Sequence, residues 1–261
     1  MDWKETVTPE EQDSFLKKQK ILVALPCYGG VCHSQFMLGM TGISAISAVK
    51  DYKVVFQVVD NESIINKARN TLVASFLQEK SFTHIMFIDS DIDFNPLDFF
   101  KLILRDKDIV AGSYPKKSLN WDSVKQVATP EATIDDLKHA SVSYAFGLKD
   151  ADGKYSTVVD IRPDENGLAQ VDNAPTGFML IKRNVFEKMI EKDPDDWYLE
   201  EKLGNIKAHN FFKCHIDKTN RLYIGEDWTF CKDWKEMGGE VWIDFTVKLK
   251  HIGSYSYEGR F

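Results

Sequence analysis

The order of apolar and polar residues in the first 112 positions predicts alternating strands and helices. Ile21 to Leu25 is a continuous apolar run of strand length that stops at Pro26, and such continuous apolarity is typical of a strand buried on both faces. After a lead-in with a short helix over 9–19, further strands are predicted over 53–59, 84–88 and 108–111, and helices over 34–49, 64–77 and 97–104. This alternation predicts an α/β unit with a mainly parallel sheet.

The pattern is less regular after residue 112. Residues 113–140 form a long polar stretch, which is interpreted either as a lid or as a surface loop with a short helix from Ile134. Strands are predicted over 141–146, 156–161, 178–181 and 241–245, and helices over 184–190 and 227–237. The second half is therefore expected to be mixed and partly antiparallel.

The composition and net charge of the chain bear on which classes of ligand it can bind. The chain has 261 residues, of which 43% are hydrophobic and 28% charged, and its formal net charge is −7. A negative net charge argues against nucleic-acid binding, because that binding usually requires a basic surface that displaces counterions from phosphates. A small phosphorylated ligand is still compatible with this charge if a cation bridges it to acidic residues.

The N-terminal residues and the cysteines indicate the cellular compartment of the protein. The first residues are acidic and polar, and no run approaches the roughly 20 apolar residues of a membrane span, so we expect a soluble, cytoplasmic protein without a signal peptide. Four cysteines without CxxC spacing are expected to be buried, reduced thiols. Metal chelation by Cys27, Cys32 and His33 is a less favoured alternative.

Three carboxylates follow the third predicted strand within five residues, namely Asp89, Asp91 and Asp93. If the extended backbone continues past Ile88, alternate side chains share a face and the carboxylates converge. Their repulsion would amount to roughly 1 kcal/mol or more per pair. A hard divalent cation such as Mg²⁺ or Mn²⁺ would offset this repulsion, and the alternative is that these are turn and cap residues.

An apolar strand that runs directly into Asp89-Ser90-Asp91 resembles the D-x-D signature of GT-A glycosyltransferases, and of family 2-like members in particular. The resemblance implies a Rossmann-like α/β/α fold, with a mixed, mainly parallel sheet and a smaller, partly antiparallel acceptor-side subdomain. It also implies that the motif binds Mn²⁺ or Mg²⁺ on the diphosphate of a UDP- or GDP-sugar and touches the ribose. Asp89 and Asp91 are the predicted ligand pair, and Asp91 with Asp93 is the alternative.

The resemblance extends to the ends of the first two strands and to the following helix. It implies nucleotide contacts from Pro26 and Tyr28 after the first strand, from Asp60 after the second, and from Arg69 in an Arg-Asn pair. Taken singly, these residues are equally compatible with purely structural roles, namely a strand-ending turn, a helix-capping aspartate and a solvated surface arginine.

The resemblance also covers the second half of the chain. The segment 172–180, with Thr176 and Gly177, is similar to the loop and strand that hold the transferred sugar and acceptor. His251 resembles the C-terminal histidine that completes the metal shell. On this basis the chain is a single domain of 1–261, with a lead-in over 1–19, a nucleotide-binding half over 20–112 and an acceptor-binding half over 113–261.

The chemistry of glycosyl transfer assigns two further roles. An inverting reaction needs a base for the acceptor hydroxyl, and Asp227, in a Glu-Asp pair at a predicted helix start, resembles that base, with Glu226 as a positioning group. The alternative is that both residues only complement the helix dipole, which would also lower the pKa of a carboxylate. Lys116 and Lys117 are predicted to cover the phosphates.

The sequence thus predicts a metal-dependent glycosyltransferase that acts on a glycan or glycoconjugate hydroxyl. Three alternatives remain: a retaining transferase of the same fold, a sugar-phosphate nucleotidyltransferase, and a non-catalytic nucleotide- or glycan-binding module. The nucleotidyltransferase is disfavoured because the loop 26–33 lacks the basic residue that would bind a triphosphate.

Overall fold

A computed structural model describes residues 7–149, 155–156 and 161–255. Within them no helix is both long and apolar enough to cross a membrane. The helices are α1 (Pro9–Lys18), α2 (Ser34–Lys50), α3 (Ile65–Gln78), α4 (Pro96–Leu104), α5 (Trp121–Val127), α6 (Ile134–Ala140), α7 (Arg183–Lys192) and α8 (Glu226–Lys235), with 3-10 turns at Tyr28–Gly30 and Glu201–Leu203.

The strands of the described chain form one seven-stranded sheet and four short pairs. The sheet has the order β2-β1-β3-β9-β5-β14-β8, and the pairs are β10-β11, β12-β13, β15-β4 and β6-β7. The strands are β1 (Lys20–Cys27), β2 (Lys53–Asp60), β3 (His84–Ile88), β4 (Ile92–Asp93), β5 (Ile109–Gly112), β6 (Leu148–Lys149), β7 (Tyr155–Ser156), β8 (Leu168–Val171), β9 (Phe178–Lys182), β10 (Trp197–Glu200), β11 (Ile206–His209), β12 (His215–Asp217), β13 (Leu222–Ile224), β14 (Val241–Asp244) and β15 (Lys250–His251).

The large sheet is mixed and mainly parallel. Strands β2, β1, β3, β5 and β14 point the same way, whereas β9 runs antiparallel between β3 and β5, and β8 runs antiparallel at one edge. Strands from both halves of the chain therefore share one sheet. The short pairs β10-β11 and β12-β13 are antiparallel hairpins of the second half. The predicted α/β fold class with a mixed, mainly parallel sheet is confirmed.

Helices cover both faces of the sheet and form two cores. On one face, α1, α2 and α4 contribute side chains such as Leu16, Ile43 and Phe99, which pack with residues of β1 and β3 that point the same way. On the other face, α3, α7 and α8 contribute side chains such as Phe76 and Phe186. Burial of these side chains from water on both faces stabilises the three layers.

Most of the predicted elements are present. The start of α4 is formed as its sequence indicates, because the side chain of Asn95 accepts a hydrogen bond of 2.9 Å from Leu97 N and Pro96 occupies the first turn. The strand predicted over 141–146 is wrong, since this segment forms only a single bridge, between Tyr144 and Pro115. The strand predicted over 156–161 lies mostly outside the described residues.

The polar stretch 113–140 contains two short helices, α5 and α6, where the sequence predicts only the one from Ile134. Both helices have side-chain caps, from Asn120 and Thr133, and neither buries a residue. The two helices also contact each other. Residues 121–140 thus form an exposed helical hairpin, which follows β5 at the edge of the sheet where the acidic motif lies.

Candidate active site

The predicted site residues gather at one edge of the sheet. Asp60 pairs with Cys27 at the carboxyl ends of β2 and β1, and Asp89 follows β3 directly. Because β9 runs antiparallel beside β3, the residue before it, Gly177, lies at the same edge, and its carbonyl accepts a hydrogen bond of 2.9 Å from Asp89 N. Ligands of α/β sheets bind beyond this edge.

Arg69 links two acidic segments of the site, the motif at Asp89 and the start of α8 at Glu226. Its Nη1 and Nη2 donate to the two carboxylate oxygens of Asp89 at 3.1 and 3.2 Å, and its Nε donates to Glu226 Oε1 at 3.4 Å. The side chain of Arg69 is only 5% exposed, so the interpretation as a solvated surface arginine is wrong. Burial alone would lower the pKa of Arg69, but Asp89 and Glu226 raise it above its ordinary value, which keeps the guanidinium charged.

Asp91 has a different set of partners. Lys117 Nζ donates to its Oδ2, and His251 Nε2 lies 3.5 Å from its Oδ1. Oδ1 is buried and has no hydrogen-bond partner among the described residues. Burial raises the pKa of Asp91, whereas His251 in its protonated form, together with Lys117, lowers it to about 2, so the carboxylate is ionised at neutral pH.

The ring of His251 is oriented by the backbone. Its Nδ1 lies 3.0 Å from the carbonyl oxygen of Pro115, which can only accept, so Nδ1 carries the hydrogen and donates it. In the neutral ring the lone pair of Nε2 therefore faces Asp91 Oδ1. Two acceptors that face each other without a proton between them are a suitable pair of ligands for a cation, and an Nδ1 hydrogen bond to a carbonyl is the usual outer-shell contact of a metal-binding histidine.

The three carboxylates of the motif do not converge. The strand ends at Ile88, as predicted, and the backbone then turns, with Ile92 N donating to Asp89 O at 3.1 Å, so the extended backbone on which convergence depended is not formed. Each carboxylate has its own cationic partner instead, and Asp93 pairs with Lys250 at 3.0 Å. These positive side chains offset the repulsion between the carboxylates, a role that the sequence analysis gave to a divalent cation.

The structure brings together part of the predicted metal set. No three His, Cys, Asp or Glu side chains in the described segments form a group able to hold a metal, which also removes the Cys27, Cys32 and His33 alternative. Asp91 and His251 are neighbours, whereas both oxygens of Asp89 are hydrogen bonded to Arg69. A role for Asp89 as a direct ligand stays a prediction.

Asp227 lies in the first turn of α8. Its Oδ1 accepts a hydrogen bond of 2.8 Å from Trp228 N. Burial, and then the adjacent charge of Glu226, raise the pKa of Asp227 to about 6, in spite of this hydrogen bond and of Arg69. The lowering expected from the helix dipole is thus outweighed, and the carboxylate titrates close to the range in which a general base is most effective.

Tyr114 links these groups and was not predicted from the sequence. It follows β5, is buried, and its hydroxyl oxygen accepts a hydrogen bond of 3.1 Å from Gly177 N. Its ring also contacts the ring of His251, with 5.0 Å between the centroids. Burial, and then Asp89 and Asp227, raise the pKa of Tyr114 well above its ordinary value, so it is a neutral phenol. The one sequence feature that could have indicated this role is the position of Tyr114 two residues after the end of β5.

Of the predicted nucleotide-binding residues, Pro26, Tyr28 and Asp60 lie at the carboxyl ends of β1 and β2, at one side of the sheet. Pro26 is part of β1, and Tyr28 in the turn that follows is 73% exposed. Asp60 is exposed, and Ser90 lies beside the first loop, since its carbonyl accepts a hydrogen bond of 3.0 Å from His33 N. Lys116 is exposed, and it is Lys117, not Lys116, that reaches the acidic motif.

The loop before β9 contains buried polar groups without partners. Thr176 Oγ1 and both side-chain polar atoms of Asn173 are buried and form no hydrogen bond with the described residues. Buried polar groups of this kind normally have partners, and leaving each one unpaired costs about 1–3 kcal/mol. Asn173 is 0% exposed and Thr176 is 1% exposed, so these groups are enclosed by the protein.

Several solved structures resemble this chain at low sequence identity. The crystal structure of A197 from STIV aligns with 18% identity and a TM-score of 0.49 over 90% of this chain and 87% of that one. GalNAc-T7 with UDP, GalNAc and Mn2+ aligns with 11% identity and a TM-score of 0.49 over 90% of this chain and 44% of that one. The sequence matches no family model and no curated protein. The function therefore has to be inferred from the residues of the site.

We expect Gly177→Ala to disturb the site and lower stability by about 1–3 kcal/mol, the usual cost of overpacking. A Cβ at this position would lie 2.4 Å from the hydroxyl oxygen of Tyr114 and 2.9 Å from Asp89 Oδ2, and neither group can withdraw easily. Urea denaturation measures the cost. In a Tyr114→Phe background, which lacks the hydroxyl, the same substitution should cost less, and strictly additive costs would contradict the contact.

Proposed function

We propose that this chain is a metal-dependent glycosyltransferase of the GT-A type, which moves a sugar from a UDP- or GDP-sugar to a hydroxyl of a glycan or glycoconjugate with inversion. The observation that carries the proposal is the unpartnered, buried Oδ1 of Asp91 beside the lone pair of His251 Nε2. An anionic and a neutral acceptor held together in this way favour a bound cation. Such a cation would bridge the anionic diphosphate of the donor to the acidic residues of the site.

The residues present fit Mn²⁺ or Mg²⁺. Asp91 and His251 would hold the ion, and a carboxylate with few other protein ligands is common where a substrate phosphate completes the coordination. When bound, the cation would offset the charge that develops on the leaving diphosphate. The position of His251 is fixed from two sides, by its bond to Pro115 O and by the bond of 2.8 Å from Ile252 N to Asp91 O.

The residues around this pair would bind the donor. The exposed Tyr28 and Asp60 stand at the carboxyl ends of β1 and β2, where they suit the base and ribose, and Ser90 adjoins the loop after β1 through its bond from His33 N. Arg69 fixes Asp89 and Glu226 through one buried guanidinium, which places the motif against α8. Thr176 and Gly177 are proposed to hold the transferred sugar.

Asp227 is the proposed base. Its raised pKa of about 6 leaves it ionised at neutral pH, yet basic enough to accept the proton of an acceptor hydroxyl as the bond to the anomeric carbon forms. The proton moves to the carboxylate while the bond between the sugar and the diphosphate breaks. Glu226 raises the pKa of Asp227 and is itself held by Arg69, which makes it a positioning residue.

Asp91→Ala tests the proposal. We expect the variant to lose Mn²⁺-dependent binding of UDP- or GDP-sugars in calorimetry, because it removes the anionic half of the cation pair. Asp93→Ala is the matched control, since Asp93 belongs to the same motif but pairs with Lys250 outside the site. Unchanged binding in Asp91→Ala, or an equal loss in both variants, would overturn the metal assignment.

A further inference from the structure

Lys117 occupies a position that the proposed function does not explain. Its ammonium group donates to Oδ2 of Asp91, the same carboxylate whose Oδ1 faces His251. Without a divalent cation, the carboxylate is thus already neutralised by a side chain of the protein. Any cation that binds between Asp91 and His251 meets the positive charge of Lys117 on the opposite side of one carboxyl group.

The backbone holds Lys117 in this place through the same turn that orients His251. Pro115, whose carbonyl accepts from His251 Nδ1, stands two residues before Lys117. The aliphatic part of Lys117 passes over Gly253, where a Cβ would lie 2.8 Å from Cδ of the lysine. The C-terminal segment therefore leaves room for the side chain to reach Asp91.

The pair is weak enough to be exchanged. The side chain of Lys117 is 39% exposed and that of Asp91 is 27% exposed, and ion pairs of this kind contribute about 0–1 kcal/mol to stability. Arg69 with Asp89 is different, because that guanidinium is almost fully buried and bound through two hydrogen bonds. Lys117 can therefore leave its carboxylate at much lower cost than Arg69 can.

We propose that Lys117 is a tethered cation that neutralises Asp91 in the free protein, is displaced from it by the divalent cation, and then pairs with the donor diphosphate. This inference rests on the proposed function and adds a coupling between metal binding and nucleotide binding. Lys117 opposes the metal when the nucleotide is absent and supports the nucleotide once the metal is bound. The cation and the diphosphate are thereby favoured together over either one alone.

Mn²⁺ titration of the full chain tests this inference without an activity assay. Lys117→Met keeps the aliphatic part of the side chain and removes the charge. Lys250→Met is the matched control, since Lys250 is also an exposed lysine that pairs with a carboxylate, Asp93, but does so outside the site. Each variant is titrated by calorimetry with Mn²⁺ alone, and then, at saturating Mn²⁺, with whichever of UDP and GDP binds the wild type more tightly.

We expect Lys117→Met to bind Mn²⁺ alone about three- to tenfold more tightly and the nucleoside diphosphate about tenfold more weakly, the scale of one charge pair at a partly exposed site. Lys250→Met should change neither constant by more than about twofold. Equal behaviour of the two variants in either titration would overturn the inference and leave the proposed function standing. Absence of Mn²⁺-dependent nucleotide binding in the wild type would overturn both.

Discussion

Asp227→Asn is expected to bind the donor as the wild type does and to transfer the sugar about 100- to 10,000-fold more slowly, the range that general base catalysis supplies. Asparagine has the same shape and can accept the hydrogen bond from Trp228 N, but it cannot take a proton. Binding is measured by calorimetry with Mn²⁺ and the donor, and turnover by release of UDP or GDP. Full activity in the variant would remove Asp227 as the base.

The pH profile gives an independent readout of the same group. Because the carboxylate must be ionised to accept a proton, kcat/KM of the wild type should fall tenfold per pH unit as the pH drops below about 6, the pKa of Asp227. The residual rate of Asp227→Asn should lack this limb. Glu226→Gln should move the limb to lower pH, since the charge of Glu226 is one of the causes of the raised pKa.

The anomeric configuration of the product separates the inverting reaction from the retaining one. Inversion, observed by NMR on the first product formed, is expected if Asp227 deprotonates the acceptor for a single displacement. Retention would assign the rate loss in Asp227→Asn to another cause, because a retaining transferase of the same fold needs no base at this position.

Local sequence signals predicted the elements of the first half well. Asn95, Pro96 and Asp98 encode the start of α4 within four residues, and the buried strand β3 is recognisable from His84–Ile88 alone. Such signals depend on neighbours along the chain, so no knowledge of the tertiary structure is needed. They also placed Asp89 at the end of a strand, and therefore at the correct edge of the sheet.

Contacts between distant segments could not be predicted in this way. Arg69 meets Asp89 across 20 residues and Glu226 across 157, and only the packing of α3 and α8 on the same face of the sheet brings the three together. An arginine on an amphipathic helix is usually exposed, and this one is buried because two carboxylates compensate it. Lys117 reaches Asp91 through a turn that has no sequence signature.

The wrong strand over 141–146 has a similar cause. The alternation of Val142, Tyr144 and Phe146 is typical of a strand, but a strand also needs a partner. Within the described chain, this segment pairs only through a single bridge, from Tyr144 to Pro115. Phe146 is buried by packing against Phe245 instead, so its apolar surface is removed from water without a ladder of hydrogen bonds.

Arg69→Met is expected to have the largest effect on stability, a loss of about 3–5 kcal/mol, the usual result of removing one partner of a buried ion pair. Methionine fills much of the volume of the arginine side chain but leaves the carboxylates of Asp89 and Glu226 without their shared cation. Urea denaturation measures the loss as a lower midpoint at an unchanged slope. Arg69→Lys should fall between the wild type and Arg69→Met, because one ammonium cannot form the three hydrogen bonds that the guanidinium donates.

This loss of stability could arise from uncompensated charge or from a packing defect, and further variants distinguish the two causes. If the cost of Arg69→Met comes from uncompensated charge, then neutralising the partners in Asp89→Asn and Glu226→Gln should recover part of it, and the triple variant should be more stable than Arg69→Met alone. Costs that add without coupling would show that the arginine acts through its volume. If the triple variant recovers stability without recovering Mn²⁺-dependent donor binding, the uncharged side chains are sufficient for folding and donor binding requires the charges of Arg69, Asp89 and Glu226.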